Sequence, residues 1–268
     1  MTGTVAVNGV AVGYADQGSG PAVVMIHGWL MTGGVWQQQL PLAERMRLIT
    51  VDIYGQGEGA GEFSYQAGVD RILAVLDKLG IDRAVVVGWS LGGQLALLLQ
   101  QQAPERCRGL VLVATTPCFC SRDGYAHGLP LAEVRQMQLR LRRDYQRTAA
   151  EFCRLMFTPD ELALAGAAAA IDAVLAALPA PEAAAASLRE LMTADLRDGL
   201  GRVGLPLLLV HGAADRICPA SVAGYLQDLL PPTELVLLPA VGHAPFITRP
   251  AEFNRIVADF VARLHDPD

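Results

Sequence analysis

Six short apolar runs recur along the chain, and they constrain its fold more than any other feature. Turn residues bound each run, and the runs span residues 22–28, 46–52, 84–90, 109–115, 205–212 and 233–240. Apolar stretches of this length are typical of strands that are buried on both faces of a parallel sheet. Helical patterns lie between most of them. The alternation predicts an α/β fold, in which helices flank both faces of a mostly parallel central sheet.

Residues 117–199 interrupt this alternation. They contain two long helical patterns, at 131–157 and 161–178, and no convincing strand separates the two patterns. We therefore predict a core formed by residues 1–116 and 200–268, with a helical lid inserted at 117–199. A chain of 268 residues is long enough for one such domain.

Charge and cysteine content exclude several classes of function. The formal net charge of −6 gives no reason to expect nucleic-acid binding. Neither a signal sequence nor an apolar stretch of membrane-spanning length is apparent. The five cysteines are odd in number and lack zinc-site spacing. We expect reduced thiols in a cytoplasmic protein that needs no metal or cofactor.

The sequence GWSLG at residues 88–92 ends the third apolar run and begins a helical pattern. A nucleophile in a G-x-S-x-G sequence occupies a strained turn between strand and helix, where side chains two positions away on either side would collide. Gly88 and Gly92 remove those side chains, so we predict that Ser90 is a nucleophile. The alternative is that Ser90 only caps the N-terminus of the helix.

A nucleophilic serine needs a histidine base and a carboxylate that orients the histidine. His243 follows the sixth apolar run and Asp215 follows the fifth, so both are expected at the carboxyl edge of the sheet beside Ser90. The order serine, acid, histidine is that of the hydrolase fold. We predict a Ser90–Asp215–His243 triad. Alternatively, His243 caps the last helix and Asp215 is only a turn former.

The tetrahedral intermediate of ester hydrolysis also needs hydrogen-bond donors for its oxyanion. The backbone N–H of Leu91, directly after the nucleophile, is one candidate. The second is the backbone N–H of Trp29, in the glycine-containing loop after the first apolar run. The Trp29 indole is also expected to line the acyl pocket, although it could equally be a core aromatic.

The chain resembles the α/β-hydrolase family over essentially its whole length. The resemblance rests on HGW (27–29), GWSLGG (88–93), HGAAD (211–215) and GHAPF (242–246), in the order and spacing of that family. Serine at position 90, where dehalogenases and epoxide hydrolases carry aspartate, implies ester hydrolysis through an acyl-serine.

Within that family, the chain is most similar to the pimeloyl-acyl carrier protein methyl ester esterases of biotin synthesis. The similar segments include TTPCFCSRD (115–123), DYQRTAAEF (144–152) and HAPFITRPAEF (243–253). This resemblance implies hydrolysis of the methyl ester of pimeloyl-acyl carrier protein, with release of methanol. Two other hypotheses stay open: the protein is a broad esterase or lactonase for small acyl esters, or it is a ligand receptor without turnover.

The resemblance also implies which residues contact the substrate. They are Trp29, Ser90, Leu91, Phe152, Cys153, Arg154, Leu155, Met156 and His243. Within the lid, the alternative is that Phe152, Leu155 and Met156 only pack the lid onto the core, because their spacing puts them on one face of a helix.

Acyl carrier protein is strongly acidic, and the resemblance implies that it docks on basic residues of the lid, here Arg140, Arg143 and Arg147. These arginines lie in the first helical pattern together with Arg135, Arg142 and Arg154. Three features depart from the family: the second helical pattern contains no arginine, Glu151 stands where a basic residue is expected, and Tyr54 and Gly59 replace the more usual proline and serine.

Overall fold

An eight-stranded sheet forms the centre of the protein in a computed structural model that describes residues 1–57, 62–230 and 233–265. The strands are β1 (Thr2–Val7), β2 (Val10–Gln17), β3 (Ala22–Ile26), β4 (Arg47–Val51), β5 (Ala84–Trp89), β6 (Cys107–Val113), β7 (Leu207–Gly212) and β8 (Thr233–Leu238). Their spatial order is β1-β2-β4-β3-β5-β6-β7-β8. The pairs from β4 to β8 are parallel, whereas β1 and β2 are antiparallel to their neighbours. This confirms the predicted fold class.

The first two strands were not predicted from the apolar runs. In β1, half-buried residues alternate with exposed ones, because only one face of this edge strand is covered. Asn8 and Gly9 connect β1 to β2 with positive φ angles of 49° and 82°. An Asn-Gly pair between alternating strands is a strong hairpin signal, so the sequence did contain the information.

Ten α-helices are found within the described residues. They are α1 (Tyr65–Lys78), α2 (Leu91–Gln102), α3 (Leu131–Arg143), α4 (Tyr145–Leu155), α5 (Pro159–Leu162), α6 (Ala165–Ala176), α7 (Pro181–Thr193), α8 (Ser221–Leu229), α9 (Pro245–Thr248) and α10 (Pro250–Arg263). Helix α1 packs against α2, and α10 packs against a 3₁₀ helix at Gly33–Glu44. No single helix in these ranges is long and apolar enough to cross a membrane, although the sharply bent pair α6 and α7 passes on combined length and composition.

Helices α3 to α7 form the insertion between β6 and β7. The first helical pattern, predicted as one helix, is divided into α3 and α4 by Asp144, whose backbone angles (φ −150°, ψ 88°) are not helical. The Asp144 side chain caps α4 by accepting a 3.1 Å hydrogen bond from the N–H of Arg147. The second pattern ends in α6, and α7 was not predicted. That this insertion acts as a lid stays a prediction.

The parallel strands position the predicted site. Because their carboxyl ends share one edge of the sheet, the residues that follow β3, β5, β7 and β8 meet there. These residues are Trp29, Ser90, Asp215 and His243, and all four are buried.

Candidate active site

Ser90 occupies a strained turn between β5 and α2. Its backbone angles are φ 55° and ψ −113°, a conformation that costs a non-glycine residue about 1–3 kcal/mol. The Ser90 N–H donates a 2.9 Å hydrogen bond to the carbonyl of Val113, which ties the turn to β6. Its hydroxyl makes no capping hydrogen bond to α2. The structure therefore does not support the alternative that Ser90 is only a helix cap.

Two glycines make this turn sterically possible. A Cβ atom on Gly88 would collide with the carbonyl group of Gly92, and a Cβ atom on Gly92 would collide with the carbonyl oxygen of Ile26. These obstacles are backbone atoms in closely packed elements, so they cannot swing aside as a flexible side chain could. The collisions agree with the steric reason for the G-x-S-x-G sequence.

We expect Gly92→Ala to lower the free energy of unfolding by about 1–3 kcal/mol, the usual cost of overpacking, and to impair activity because the Ser90 turn must shift. Urea unfolding and ester hydrolysis measure the two effects. The matched control is Gly224→Ala in α8, where a Cβ atom meets nothing within 4 Å and helix propensity favours alanine by about 1 kcal/mol. Equal stability changes in the two variants would contradict the steric account.

Asp215 and His243 form a buried hydrogen-bonded pair. Asp215 Oδ2 lies 2.7 Å from His243 Nδ1, and Asp215 Oδ1 accepts hydrogen bonds from the N–H groups of Ile217 (2.8 Å) and Cys218 (2.9 Å). Burial alone raises the pKa of Asp215, but His243 and His211 outweigh it and hold that pKa well below its usual range. Asp215 is therefore a carboxylate that faces a protonated Nδ1 of the imidazole, and its role in orienting a base stays a prediction.

His243 lies next to the Ser90 turn. Its carbonyl oxygen accepts a 2.8 Å hydrogen bond from the indole Nε1 of Trp89, the residue before Ser90. Within the described residues, His243 Nε2 has no hydrogen-bond partner, and the Ser90 hydroxyl is not bonded to it. Such bonds are often long in resting enzymes and tighten when substrate binds. The roles of Ser90 and His243 stay predictions.

The four other histidines have different surroundings. Both ring nitrogens of His27 are occupied, because Nδ1 lies 2.9 Å from the carbonyl of Gly28 and Nε2 accepts a 3.2 Å hydrogen bond from the N–H of Ile53. Burial lowers the pKa of His27. His211 Nε2 lies 2.8 Å from the carbonyl of Cys218 and 3.4 Å from Asp215 Oδ2. His127 bonds to Ser221, and His265 to the backbone of α10.

The two predicted oxyanion donors are the backbone N–H groups of Trp29 and Leu91. In the described part of the chain, neither group donates a hydrogen bond to a protein acceptor, so both are free to bind an oxyanion. Leu91 is the first residue of α2, whose N-terminal amides also favour negative charge. The Trp29 indole donates a 2.9 Å hydrogen bond to the carbonyl of Ala184 in α7, which fixes the loop against the insertion.

The residues of the insertion that were predicted to contact the acyl chain do not all lie on the same side of the insertion: most are buried and one is exposed. Phe152 packs edge-to-face on Trp29, with ring centroids 4.7 Å apart. Cys153 and Met156 are buried with Phe152, and Leu155 is half-buried. Arg154 is exposed on the outer side of α4, so the structure does not bring it together with the other four.

The predicted docking arginines lie on two helices instead of one. Arg140 and Arg143 are in the last turn of α3, whereas Arg147 is in the first turn of α4, and all three are exposed. Arg147 Nε lies 2.9 Å from the carboxylate of Glu151. In the described ranges, Arg140 and Arg143 form no ion pair, so their charges are available to a partner.

Tyr54 links the loop that carries Trp29 to helix α7, and this contact was not predicted from the sequence. Its buried hydroxyl accepts a 3.3 Å hydrogen bond from the N–H of Leu30 and donates one of 3.3 Å to the Ser187 hydroxyl of α7. Burial raises the pKa of Tyr54 to about 12, so the phenol is neutral. The only signal was the departure from proline at this position. Gly59, the other departure from the family in this part of the sequence, lies outside the described residues.

Comparison with known proteins identifies close relatives. A family model described as "Alpha/beta hydrolase family" matches residues 23–256. A protein of Nitrosomonas europaea named "Pimeloyl-[acyl-carrier protein] methyl ester esterase" is 40% identical over 238 residues, which cover 88% of this chain and 94% of that protein. A protein of the same name from Klebsiella pneumoniae is 37% identical over 235 residues, or 86% of this chain and 90% of its own.

Solved structures agree on the fold. The esterase EaEST from Exiguobacterium antarcticum is 25% identical and superposes with a TM-score of 0.88, covering 98% of this chain and 100% of its own. A bromoperoxidase from Bacillus anthracis is 22% identical with a TM-score of 0.89, over 98% of this chain and 100% of its own. At 22% identity, the similarity to the bromoperoxidase bears on the fold alone.

Proposed function

The chain belongs to the α/β-hydrolase family, and from that membership we propose that it is a serine carboxylesterase that hydrolyses the methyl ester of pimeloyl-acyl carrier protein. The observation that carries the proposal is the buried Asp215–His243 pair beside the strained Ser90 turn. The two relatives at 40% and 37% identity, which bear the name of this activity, support the choice of substrate.

In the first half of the proposed reaction, the Ser90 hydroxyl oxygen attacks the ester carbonyl carbon while His243 Nε2 takes the hydroxyl proton. The backbone N–H groups of Leu91 and Trp29 donate hydrogen bonds to the oxyanion. Asp215 remains ionised and stabilises the imidazolium. When the intermediate collapses, the imidazolium gives its proton to the departing methoxy oxygen, and methanol leaves an acyl-Ser90 ester.

In the second half, His243 takes a proton from water and the resulting oxygen nucleophile attacks the acyl carbon. Collapse returns the proton to the Ser90 oxygen and releases the acyl chain as a carboxylic acid, which gives its remaining proton to solvent. In this proposal, the methylene groups of that chain lie beside Trp29 and Phe152, whose rings pack edge-to-face, and beside the buried Met156. In this proposal, residues 117–199 act as the lid, and Cys153 and Leu155 complete its inner side.

We place the carrier protein on Arg140, Arg143 and Arg147, because exposed arginines attract an acidic partner and orient its approach. The pairing of Arg147 with Glu151 and the absence of arginine from α6 make this basic surface small. Docking therefore rests mainly on Arg140 and Arg143, whose charges are unpaired in the described part of the chain.

We expect Arg140→Glu combined with Arg143→Glu to lower kcat/KM for the carrier-bound methyl ester by about tenfold or more at low salt, because two attractive contacts become repulsive. Hydrolysis of a short nitrophenyl ester should be unchanged. The matched control is Arg45→Glu with Arg202→Glu, which alters the net charge equally at two exposed positions outside residues 117–199, where neither arginine forms an ion pair within the described residues. If carrier-bound turnover survived the first pair and not the second, the docking site would be wrong.

The substrate assignment is tested by comparing carrier-bound methyl pimelate with a series of nitrophenyl esters of rising chain length. We expect the carrier-bound ester to have the higher kcat/KM. A broad esterase or lactonase would instead favour the small esters, and a ligand receptor would bind without sustained release of methanol. Either result would refute the proposed substrate or activity.

A further inference from the structure

We infer that Glu161, a buried carboxylate of the insertion, is a positioning residue for His243. The inference rests on the proposed function, in which His243 is the general base. Glu161 lies in the short helix α5 and is 5% exposed. It is distant from His243 in sequence. Its carboxylate accepts three hydrogen bonds, whose donors lie at the N-terminus of α5, in the loop that carries His243 and in α9.

The contacts of Glu161 join the insertion to the loop that carries His243. Glu161 Oε2 accepts 2.9 Å hydrogen bonds from the N–H groups of Thr158 and Gly242. Glu161 Oε1 accepts a hydrogen bond from the Thr248 hydroxyl at the end of α9. Only the Thr158 bond belongs to the capping box of α5. The bonds to Gly242 and Thr248 cross to the segment on either side of His243.

Two consecutive backbone N–H groups of the histidine loop are bound by the insertion. Gly242 donates to Glu161, and His243 donates a 2.7 Å hydrogen bond to the carbonyl of Met156. The approach is so close that a Cβ atom on Gly242 would collide with the Met156 carbonyl. These bonds fix the peptide from which the imidazole projects, whereas Asp215 fixes the direction of its ring.

A carboxylate suits this position because one oxygen must accept two N–H groups, and bonds to an ionised acceptor are stronger than neutral ones. Within the described residues, Glu161 forms no ion pair, so these donors are its compensation for burial. Catalysis is sensitive to the position of the base, since a misplacement of about 1 Å can cost about 10²-fold in rate. Removal of the Glu161 side chain should therefore slow the reaction, although Glu161 itself does not contact the substrate.

The test measures kcat and KM on a short nitrophenyl ester, which does not need the carrier-docking surface. We expect Glu161→Ala to lower kcat by about 10- to 100-fold with KM changed by less than about threefold. Glu161→Gln keeps an acceptor oxygen for Gly242 and should retain kcat within about threefold of the parent. The rate of Ser90 labelling by a fluorophosphonate should fall in parallel with kcat, because it too needs the base.

Thr158→Ala is the matched control, since it removes the hydroxyl that caps α5 but leaves the Glu161–Gly242 bond. If Glu161→Ala does not fold, Glu161→Asp retains the charge, shortens the reach and should still lower kcat. Unchanged kcat, an equal loss in Thr158→Ala, or a rise in KM alone would overturn the inference. His243→Ala separates the two proposals: its retained activity would refute the proposed function, whereas an inactive His243→Ala beside a fully active Glu161→Ala would refute only the role of Glu161.

Discussion

Ser90→Ala is expected to reduce ester turnover by at least about 10³-fold, because no acyl-enzyme can form without the serine oxygen. Alanine adds no volume at this buried turn, so circular dichroism and the urea unfolding midpoint should match those of the parent. Turnover is measured as methanol release from the carrier-bound ester and as nitrophenolate release from a short ester.

The control for this variant is Ser221→Ala. The Ser221 hydroxyl also contacts a histidine, since it lies 2.9 Å from His127 Nδ1. Ser221, however, is exposed at the first residue of α8. We expect that variant to keep full activity. Near-parental hydrolysis by Ser90→Ala would refute the nucleophile, whatever the effect of the control.

Asp215→Asn should lower kcat by about 10⁴-fold while the protein still folds. The N–H groups of Ile217 and Cys218 hold one side-chain oxygen of residue 215, so the asparagine amide nitrogen would face His243 Nδ1. An N–H donor there makes Nδ1 an acceptor and leaves the proton on Nε2, the nitrogen that must accept the proton of Ser90. The imidazole would be in the wrong tautomer for a base.

Asp228→Asn in α8 is the matched control, because Asp228 is exposed and removed from the strand ends. Both variants lose one negative charge, but only the first should lose activity. Steady-state hydrolysis of a nitrophenyl ester, with folding checked by circular dichroism, compares them. Equal activities would show that Asp215 does not orient the base.

The sequence was most informative where a local pattern has one structural solution. Strands β3 to β7 follow from burial on both faces, and the turn at Ser90 follows from two glycines at fixed offsets. The expectation of burial on both faces was wrong for β8, because it is an edge strand in which Glu234 and Leu237 are exposed. The break at Asp144 was missed because the apolar spacing runs through it, and the interruption depends on backbone angles and a cap. The N-terminal hairpin was missed although Asn8-Gly9 signalled it.

Apart from the Asp215–His243 pair, contacts between distant segments could not be predicted from the sequence. The Thr158–Glu161 spacing indicates a capping box, but nothing local indicates that the same carboxylate reaches Gly242. Likewise, the hydroxyl of Tyr54 meets Leu30 only because the loops after two neighbouring strands converge under α7. Such bonds depend on how the insertion is placed relative to the sheet, and no local sequence pattern indicates that placement.

The central claim is that Ser90, His243 and Asp215 act as one proton-transfer chain. The most direct measurement is the rate of covalent labelling by a fluorophosphonate, with the modified peptide identified by mass spectrometry. We predict one label per chain, on Ser90, with labelling greatly slowed in His243→Ala and Asp215→Asn and absent in Ser90→Ala. A label on another residue, or Ser90 labelling at an unchanged rate without His243 and Asp215, would contradict the account.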